Sequence, residues 1–117
     1  MASIRDLVAA LRQREGVDAA VVLGRDGLVI DSQATDGIVV DDIAARIPSI
    51  LGPADELGTA SGRGETLTVV LEHQQGIAIV SSLNTEAVLL VLVHPSADIG
   101  QLLYEIRRNR AHIAALV

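Results

Sequence analysis

Hydrophobic and polar positions follow two periods along this chain of 117 residues, and the changes of period divide it into eight segments. Ile4, Leu7, Val8 and Leu11 recur at helical spacing. Ser3 is placed to cap that helix, Asp6 to reach back to the cap's own amide, and Gly16 to end the segment in a left-handed conformation. Asp18 to Gly24 and Leu28 to Ala34 have the length and the Val/Ile content of strands. A helical stripe returns with Ile43, Ile47, Ile50, Leu51, Ala54 and Leu57, in a segment capped by Asp41 or Asp42 and running to about Ser61. Pro48 and Pro53 predict a bend or interruption there, since each lacks an amide donor and crowds the carbonyl four residues back. Three strands follow, Thr66 to Glu72, Gly76 to Leu83 and Glu86 to Val93, joined by connections short enough for an antiparallel meander. The last segment, from Ser96 or Asp98 to Val117, carries Ile99, Leu102, Leu103, Ile106, Ile113 and Leu116 on one stripe, with Pro95 just ahead of it. The order is α-β-β-α-β-β-β-α.

Patterning also ranks the strands. Ala87 to Val93 is apolar on both faces, so both must be covered and the strand is central. Val21 and Val22 put the first strand inside as well. The second strand ends in Asp31-Ser32-Gln33, polar enough to protect an edge. The strand from Thr66 to Glu72 follows a long crossover and forms the other edge, yet it has no Pro, Lys or other guard against pairing. Such an edge is either an aggregation hazard or a place where a partner binds, and the second reading suits a soluble protein.

Composition narrows the chemistry. Half of the residues are hydrophobic but Tyr104 is the single aromatic, so the core is aliphatic. Cysteine is absent, which excludes disulfides, thiolate metal sites and cysteine nucleophiles. The net charge is −6, with nine arginines and no lysine. An acidic chain with one aromatic lacks the basic stripe and stacking platforms of a nucleic-acid binder, and without lysine neither a Walker A loop nor a Schiff base can form. No apolar run approaches the roughly 20 residues of a membrane span, and the N-terminus lacks a secretory pattern, so a cytoplasmic protein without membrane insertion is expected.

The charged interruption Arg25-Asp26-Gly27 reads as hairpin chemistry, a primed turn in which Asp and Gly tolerate positive φ. A metal or acid role would need a second ligand or carboxylate nearby, and the sequence points to none. His73, His94 and His112 lack the spacing of a metal site. Ser81-Ser82 has no nucleophile elbow around it. Ser61-Gly-Arg-Gly-Glu65 reads as a flexible turn, not a phosphate cradle. Asp41-Asp42 suits a helix N-terminus, Asp55-Glu56 the solvated side of that helix, and Arg107, Arg108 and Arg110 the negative end of the last helix or a docking surface for acidic partners. Nothing assembles a nucleophile, a base and an oxyanion donor, so neither catalysis nor a cofactor is expected.

Taken together, Glu15-Gly16-Val17, Ala19 to Val22, Arg25 to Ile30, Ala44-Ala45, Ala54-x-x-Leu57-Gly58, the apolar strand at 87 to 93 and Leu102 to Arg108 resemble the roadblock (dynein light-chain) family across essentially the whole chain. The resemblance implies an α+β sandwich of profilin-like, roadblock architecture: a five-stranded, mainly antiparallel sheet with one helix on one face and two on the other, in a single domain. It implies a homodimer through edge strands and second helices, as in bacterial regulators of Ras-like small GTPases in motility and polarity systems. Carried onto this chain, the partner-binding positions are Arg46, Ser49, Pro53 and Glu56 on the second helix, and the dimer edge is Thr66, Thr68, Val70 and Glu72. The family supplies no catalytic motif, though Arg46 or Arg63 could act as an arginine finger. The chain stops directly after the last helix and is expected to lack the extensions some regulators use. The alternatives are a dimerisation or scaffold module of a larger signalling or motor assembly and, with less support from so aliphatic a core, a small-molecule sensor.

Overall fold

Ser3 and Asp6 form a reciprocal capping box at the start of α1 (Ile4–Gln13), satisfying two amides that the helix itself leaves unpaired. The computed structural model describes residues 3–117. Gly16 is left-handed as expected, at φ +85°, but α1 stops before it, at Arg14, whose extended backbone leaves the helix while its carbonyl accepts the Val17 amide at 3.1 Å. Gly16 sits two residues further on, in the turn that leads into β1 (Val17–Gly24).

The hairpin to β2 (Val29–Ala34) is a longer loop than a primed turn. The Gly27 amide donates to the Gly24 carbonyl at 2.9 Å, the Gly24 amide to the Leu28 carbonyl at 2.8 Å, and the Leu28 amide to the Asp26 carboxylate at 3.0 Å. Among the described residues every positive φ belongs to glycine, here Gly27 at +91°. Arg25 and Asp26 therefore make an ordinary turn, and Gly27 supplies the left-handed residue that returns the chain to the sheet. A β-carbon on Gly27 would stand 3.3 Å from the Ala44 carbonyl oxygen and 3.4 Å from Pro48 Cγ. The turn is thus packed against the second helical segment.

That segment is interrupted, as its prolines predict. It divides into α2 (Val40–Ala44) and α3 (Pro48–Ala60), with a turn at residues 45–47. Pro48 opens α3, where its missing donor costs nothing, and Pro53 lies inside it. Val39, not an aspartate, holds the N-cap of α2; Asp41 and Asp42 occupy its first turn, where their charges still face the positive helix end. Leu51 is buried, and Asp55, four residues on, shares its face, whereas Leu57, read from the sequence as part of the stripe, is 71% exposed.

The remaining elements are β3 (Thr68–His73), β4 (Gly76–Ser82), β5 (Ala87–Val93) and α4 (Ile99–Ala114), the last capped by the Asp98 carboxylate on the Gln101 amide. The strands form one antiparallel sheet in the order β2-β1-β5-β4-β3. The apolar strand is central and the second and third strands are the edges, as their patterns require. On one face α1 and α4 cover Ala20, Val22, Ile79, Leu89 and Val91. On the other, α2 and α3 cover Val21, Leu23, Val80, Val88 and Leu90. The division of one helix against two therefore holds, with the single helix broken in two.

Polar staples tie the far edge to this core. Arg110 of α4 donates through Nη2 to Thr68 Oγ1 at 2.8 Å, to Ser81 Oγ at 3.2 Å and to the Leu67 carbonyl at 3.3 Å. Asp55 of α3 accepts the Thr66 amide at 2.9 Å and the Arg25 guanidinium at 2.7 Å, while Arg25 also donates to Ser82 Oγ at 3.1 Å. Asp55 is therefore not on a free solvated face, and the carboxylate that the hairpin arginine lacked in sequence arrives from thirty residues away. The Thr66 amide and side chain, followed by the positive charge of Arg25, hold the Asp55 carboxyl below its ordinary value against the opposing effect of desolvation. The same bond keeps Thr66 on the helix, so β3 starts at Thr68, two residues later than the pattern suggested.

Two outcomes are expected. Gly27→Ala should destabilise the fold by about 1–2 kcal/mol, because alanine is strained in the left-handed region, and chemical denaturation would show it. For Asp55, a folded-state pKa below the unfolded value means stabilisation that is present above about pH 4 and lost as pH falls through the lower, folded value. Asp55→Asn should therefore cost about 1 kcal/mol at neutral pH and flatten the acid limb of a stability–pH profile.

Candidate functional site

The edge strand β3 has one row of backbone groups without a neighbour in the sheet. The Ser82 amide donates to the Leu67 carbonyl at 2.9 Å, and the register then pairs Thr68 with Ser81, Val70 with Ile79 and Glu72 with Ile77. In an antiparallel ladder, residues alternate between turning their amide and carbonyl toward one neighbour and toward the other. Leu67 turns inward, so Val69, Leu71 and His73 do as well, while Thr68, Val70 and Glu72 present theirs outward. The side chains alternate too. Val69 and Leu71 pack into the core beneath α2 and α3, and Thr68, Val70 and Glu72 lie on the α4 face, where Arg110 holds Thr68.

Three of the four edge positions expected from the sequence, Thr68, Val70 and Glu72, are thus the residues whose backbone is open. Thr66 is not; it lies in the loop before the strand, with its amide on Asp55. The strand is flanked by a groove of about 950 Å³ between α3, the loop before β3 and α4. Leu57 and Leu67, 71% and 60% exposed, and Val70, 41% exposed, make its apolar part. Arg63, Arg107 and Arg110 line it as cations and Glu65 as the carboxylate. The loop is drawn close because Gly58 has no side chain: its carbonyl accepts the Arg63 amide at 2.8 Å, and a β-carbon there would collide with the Gly64 carbonyl.

Arg46, Ser49, Pro53 and Glu56 are all exposed, and their spacing places them on the outward side of the interrupted helix. Arg46 lies in the turn between α2 and α3 and reaches Asp42 at 3.4 Å, a pair with both side chains largely in solvent and worth little to stability. It stands on the rim of a second groove of about 630 Å³, whose floor is Leu71, Leu90 and Leu92 and whose wall is Ile43, Ile47 and Ile50. Leu71 of the free strand and Ile50 of the second helix are both partly buried against the same core cluster.

Sequence reasoning passed over Leu67, put Leu57 inside and Asp55 in solvent, and did not find the partners of Arg110. Leu57 lies six residues after buried Leu51, about 120° around the helix, and so off the buried face. For Arg110 no local signal exists, because Thr68 and Ser81 are remote in the chain. At the opposite edge, β2 carries Asp31, Ser32 and Gln33, with the Asp31 carboxylate on the Ser32 amide at 2.8 Å. Among the described residues no group of three or more His, Asp and Glu could hold a metal ion, and no helix is long and apolar enough to cross a membrane. His94 bonds Ser96 at 2.7 Å, and Ser81 is fully buried beneath Arg110.

Comparison with known proteins places this architecture. Two proteins of Methanocaldococcus jannaschii described as uncharacterized, MJ1340 and MJ0310, are each 26% identical over 106 residues, covering 91% of this chain and 92% of theirs. A Roadblock/LC7 domain structure from Streptomyces avermitilis is 27% identical with a TM-score of 0.81, covering 97% of this chain and 93% of that one. The gliding protein MglB of Thermus thermophilus shares the fold at a TM-score of 0.85 and 14% identity, over 97% of this chain and 87% of that one. MglB of Myxococcus xanthus does so at 0.86 and 15%, over 97% and 93%. Residues 4–93 match the Roadblock/LC7 domain, from the capped first helix through the central strand, and the chain belongs to that family.

Proposed function

We propose that this Roadblock/LC7 domain is a non-catalytic, homodimeric regulator or scaffold that binds a Ras-like small GTPase and modulates its GTP cycle. The observation that carries the reading is the free edge of β3, a strand with open backbone groups flanked by exposed Leu57, Leu67 and Val70 and continuous with the outward face of the second helix. Two such edges related by a two-fold axis would merge into one sheet and bring both helix faces onto a common surface, the self-complementary arrangement of an isologous dimer. Arg46, Ser49, Pro53 and Glu56 from each copy would form the partner platform. The likeness over nearly the whole chain to the gliding protein MglB supports the same architecture.

A surface of this kind regulates without donating catalytic groups. Binding one conformation of the GTPase switch segments better than the other shifts their population, and a hydrolysis-competent arrangement held in this way raises the rate with the GTPase's own residues. Arg46 is tied only by its solvent-exposed pair with Asp42, and Arg63 stands on the loop beside β3. Both are long enough and free enough to reach a bound partner.

Two measurements test the reading. Val70→Pro removes an outward amide that β4 does not use, a change an edge strand tolerates. The variant should fold but be monomeric by light scattering where the native chain is dimeric, and a persistent dimer would refute pairing through β3. Purified protein used as bait in native lysate, in parallel with a GTP analogue and with GDP, should capture a small GTPase preferentially in one nucleotide state. Capture of other proteins irrespective of nucleotide would instead make it a scaffold with no effect on turnover.

A further inference from the structure

We propose that the outward face of α4 is a second docking surface, one that takes an acidic segment of a partner protein, with Tyr104 as its anchor and Arg107 and Arg108 as the cations that pair with the segment's carboxylates. α4 lies across the sheet from α2 and α3, so this surface is separate from the second-helix platform and does not depend on the GTPase reading.

The sequence left these arginines two readings, the negative end of the last helix or a docking surface, and the structure removes the first. α4 runs on to Ala114, the basic residue of its last turn is His112, and the field of a helix end fades within that turn. Arg107 and Arg108 are exposed, and among the described residues neither belongs to an ion pair. The carboxylates near them are engaged elsewhere or unbonded to them. Asp98 caps the Gln101 amide, Glu105 holds Arg14 at the end of α1, and Glu65 lines the groove beside Arg107 without pairing. Arg110 differs from its neighbours, since its Nη2 is spent on Leu67, Thr68 and Ser81.

Helical spacing sets Tyr104 beside both free cations. It is three residues from Arg107 and four from Arg108, the separations that make neighbours on a helix surface. The single aromatic ring of the chain is thus kept out of the core, 58% exposed, next to two unpaired guanidinium groups. Tyrosine and arginine are the side chains in which interface energy concentrates, and a guanidinium holds a carboxylate through two parallel bonds.

Charge over the whole fold points to the same partner. Residues 3–15 and 98–117, the α1–α4 layer, carry six of the nine arginines and four of the fifteen acidic residues, a net of two positive charges against eight negative for the rest of the chain. An acidic protein therefore turns one cationic layer outward. That net charge is small, which selects the kind of anion. Anionic bilayers are held by clusters of about four to eight basic residues, and Leu102, Ile106 and Ile113 face the sheet, so α4 offers no apolar wedge to a membrane. Nucleic acid needs a longer basic stripe. A short segment bearing a few carboxylates needs only the two arginines and the ring.

The probe is an array of short peptides of random sequence, incubated with the native chain and with the Arg107→Glu/Arg108→Glu, Arg108→Gln and Tyr104→Ala variants. All three positions are exposed on a helix, and circular dichroism checks that each variant is folded. The peptides bound by the native chain and lost by the double variant should be rich in Asp and Glu, while those bound elsewhere on the chain are unaffected. A soluble copy of the strongest should bind Arg108→Gln and Tyr104→Ala at least about tenfold more weakly than the native chain, and its affinity should fall as salt rises. A double variant that loses no peptides, or loses peptides that are not acidic, would overturn the proposal. Tyr104→Ala binding as tightly as the native chain would overturn the role of the ring as anchor. Arginine-dependent binding to phosphatidylserine vesicles or duplex DNA, with no acidic peptides captured, would overturn the protein partner in favour of a membrane or a nucleic acid.

Discussion

The fold depends on burying β5 on both faces. Leu89 and Leu90 are neighbours in sequence and, because side chains alternate along a strand, lie in the two separate cores; both are essentially inaccessible to solvent. Each contributes about 1.5–3 kcal/mol through burial. A strand of this kind cannot stand at an edge or leave a face uncovered. It must have a neighbour on each side, here β1 and β4, and helices above and below. Once those layers are in place, β2 and β3 have no position left except the margins. The exposed backbone of β3 thus follows from how greasy the middle of the sheet is.

With an aliphatic core that supplies no directional contacts, polar groups set the geometry of the margin. Arg110 reaches from α4 to bond Thr68, Ser81 and the Leu67 carbonyl, clamping the first residues of β3 to β4. From the other face, Asp55 accepts from both Thr66 and Arg25 and so ties the β1–β2 hairpin, α3 and the entry to β3 together. Both staples are charge-assisted and partly shielded, the circumstances in which such bonds are worth more than a surface pair. Their effect is positional. They decide where β3 begins, and so which of its residues present open amides.

The two edges differ in how far they are guarded. β2 ends in polar residues, and the Asp31 carboxylate occupies the Ser32 amide, which blunts a strand against further pairing. β3 lacks such a guard, and exposed Leu57, Leu67 and Val70 surround it. This open edge beside apolar side chains is continuous with the outward face of the interrupted second helix.

Local pattern was enough to show the eight segments, the central place of the 87–93 strand, the two edges and the break at the prolines, because these follow from side-chain period and from what proline cannot do. The family resemblance, not the pattern, pointed to Thr66, Thr68, Val70 and Glu72 and to Arg46, Ser49, Pro53 and Glu56; the structure leaves the backbone of Thr68, Val70 and Glu72 open and the four helix positions exposed. Boundaries were less legible. Thr66 leaves the strand because a distant aspartate takes its amide, and Leu57 turns outward because α3 buries the face of Leu51, about 120° away around the helix. Arg25 reads as a bare turn residue until α3 delivers Asp55, and Arg110 as one of several helix-end cations until the sheet delivers Thr68. Sequence determines which faces must be buried, since burial depends on each residue's own chemistry. Only the tertiary structure decides which charges meet, since a hydrogen bond needs two particular atoms within about 3 Å, and that distance is set by the packing of everything between them.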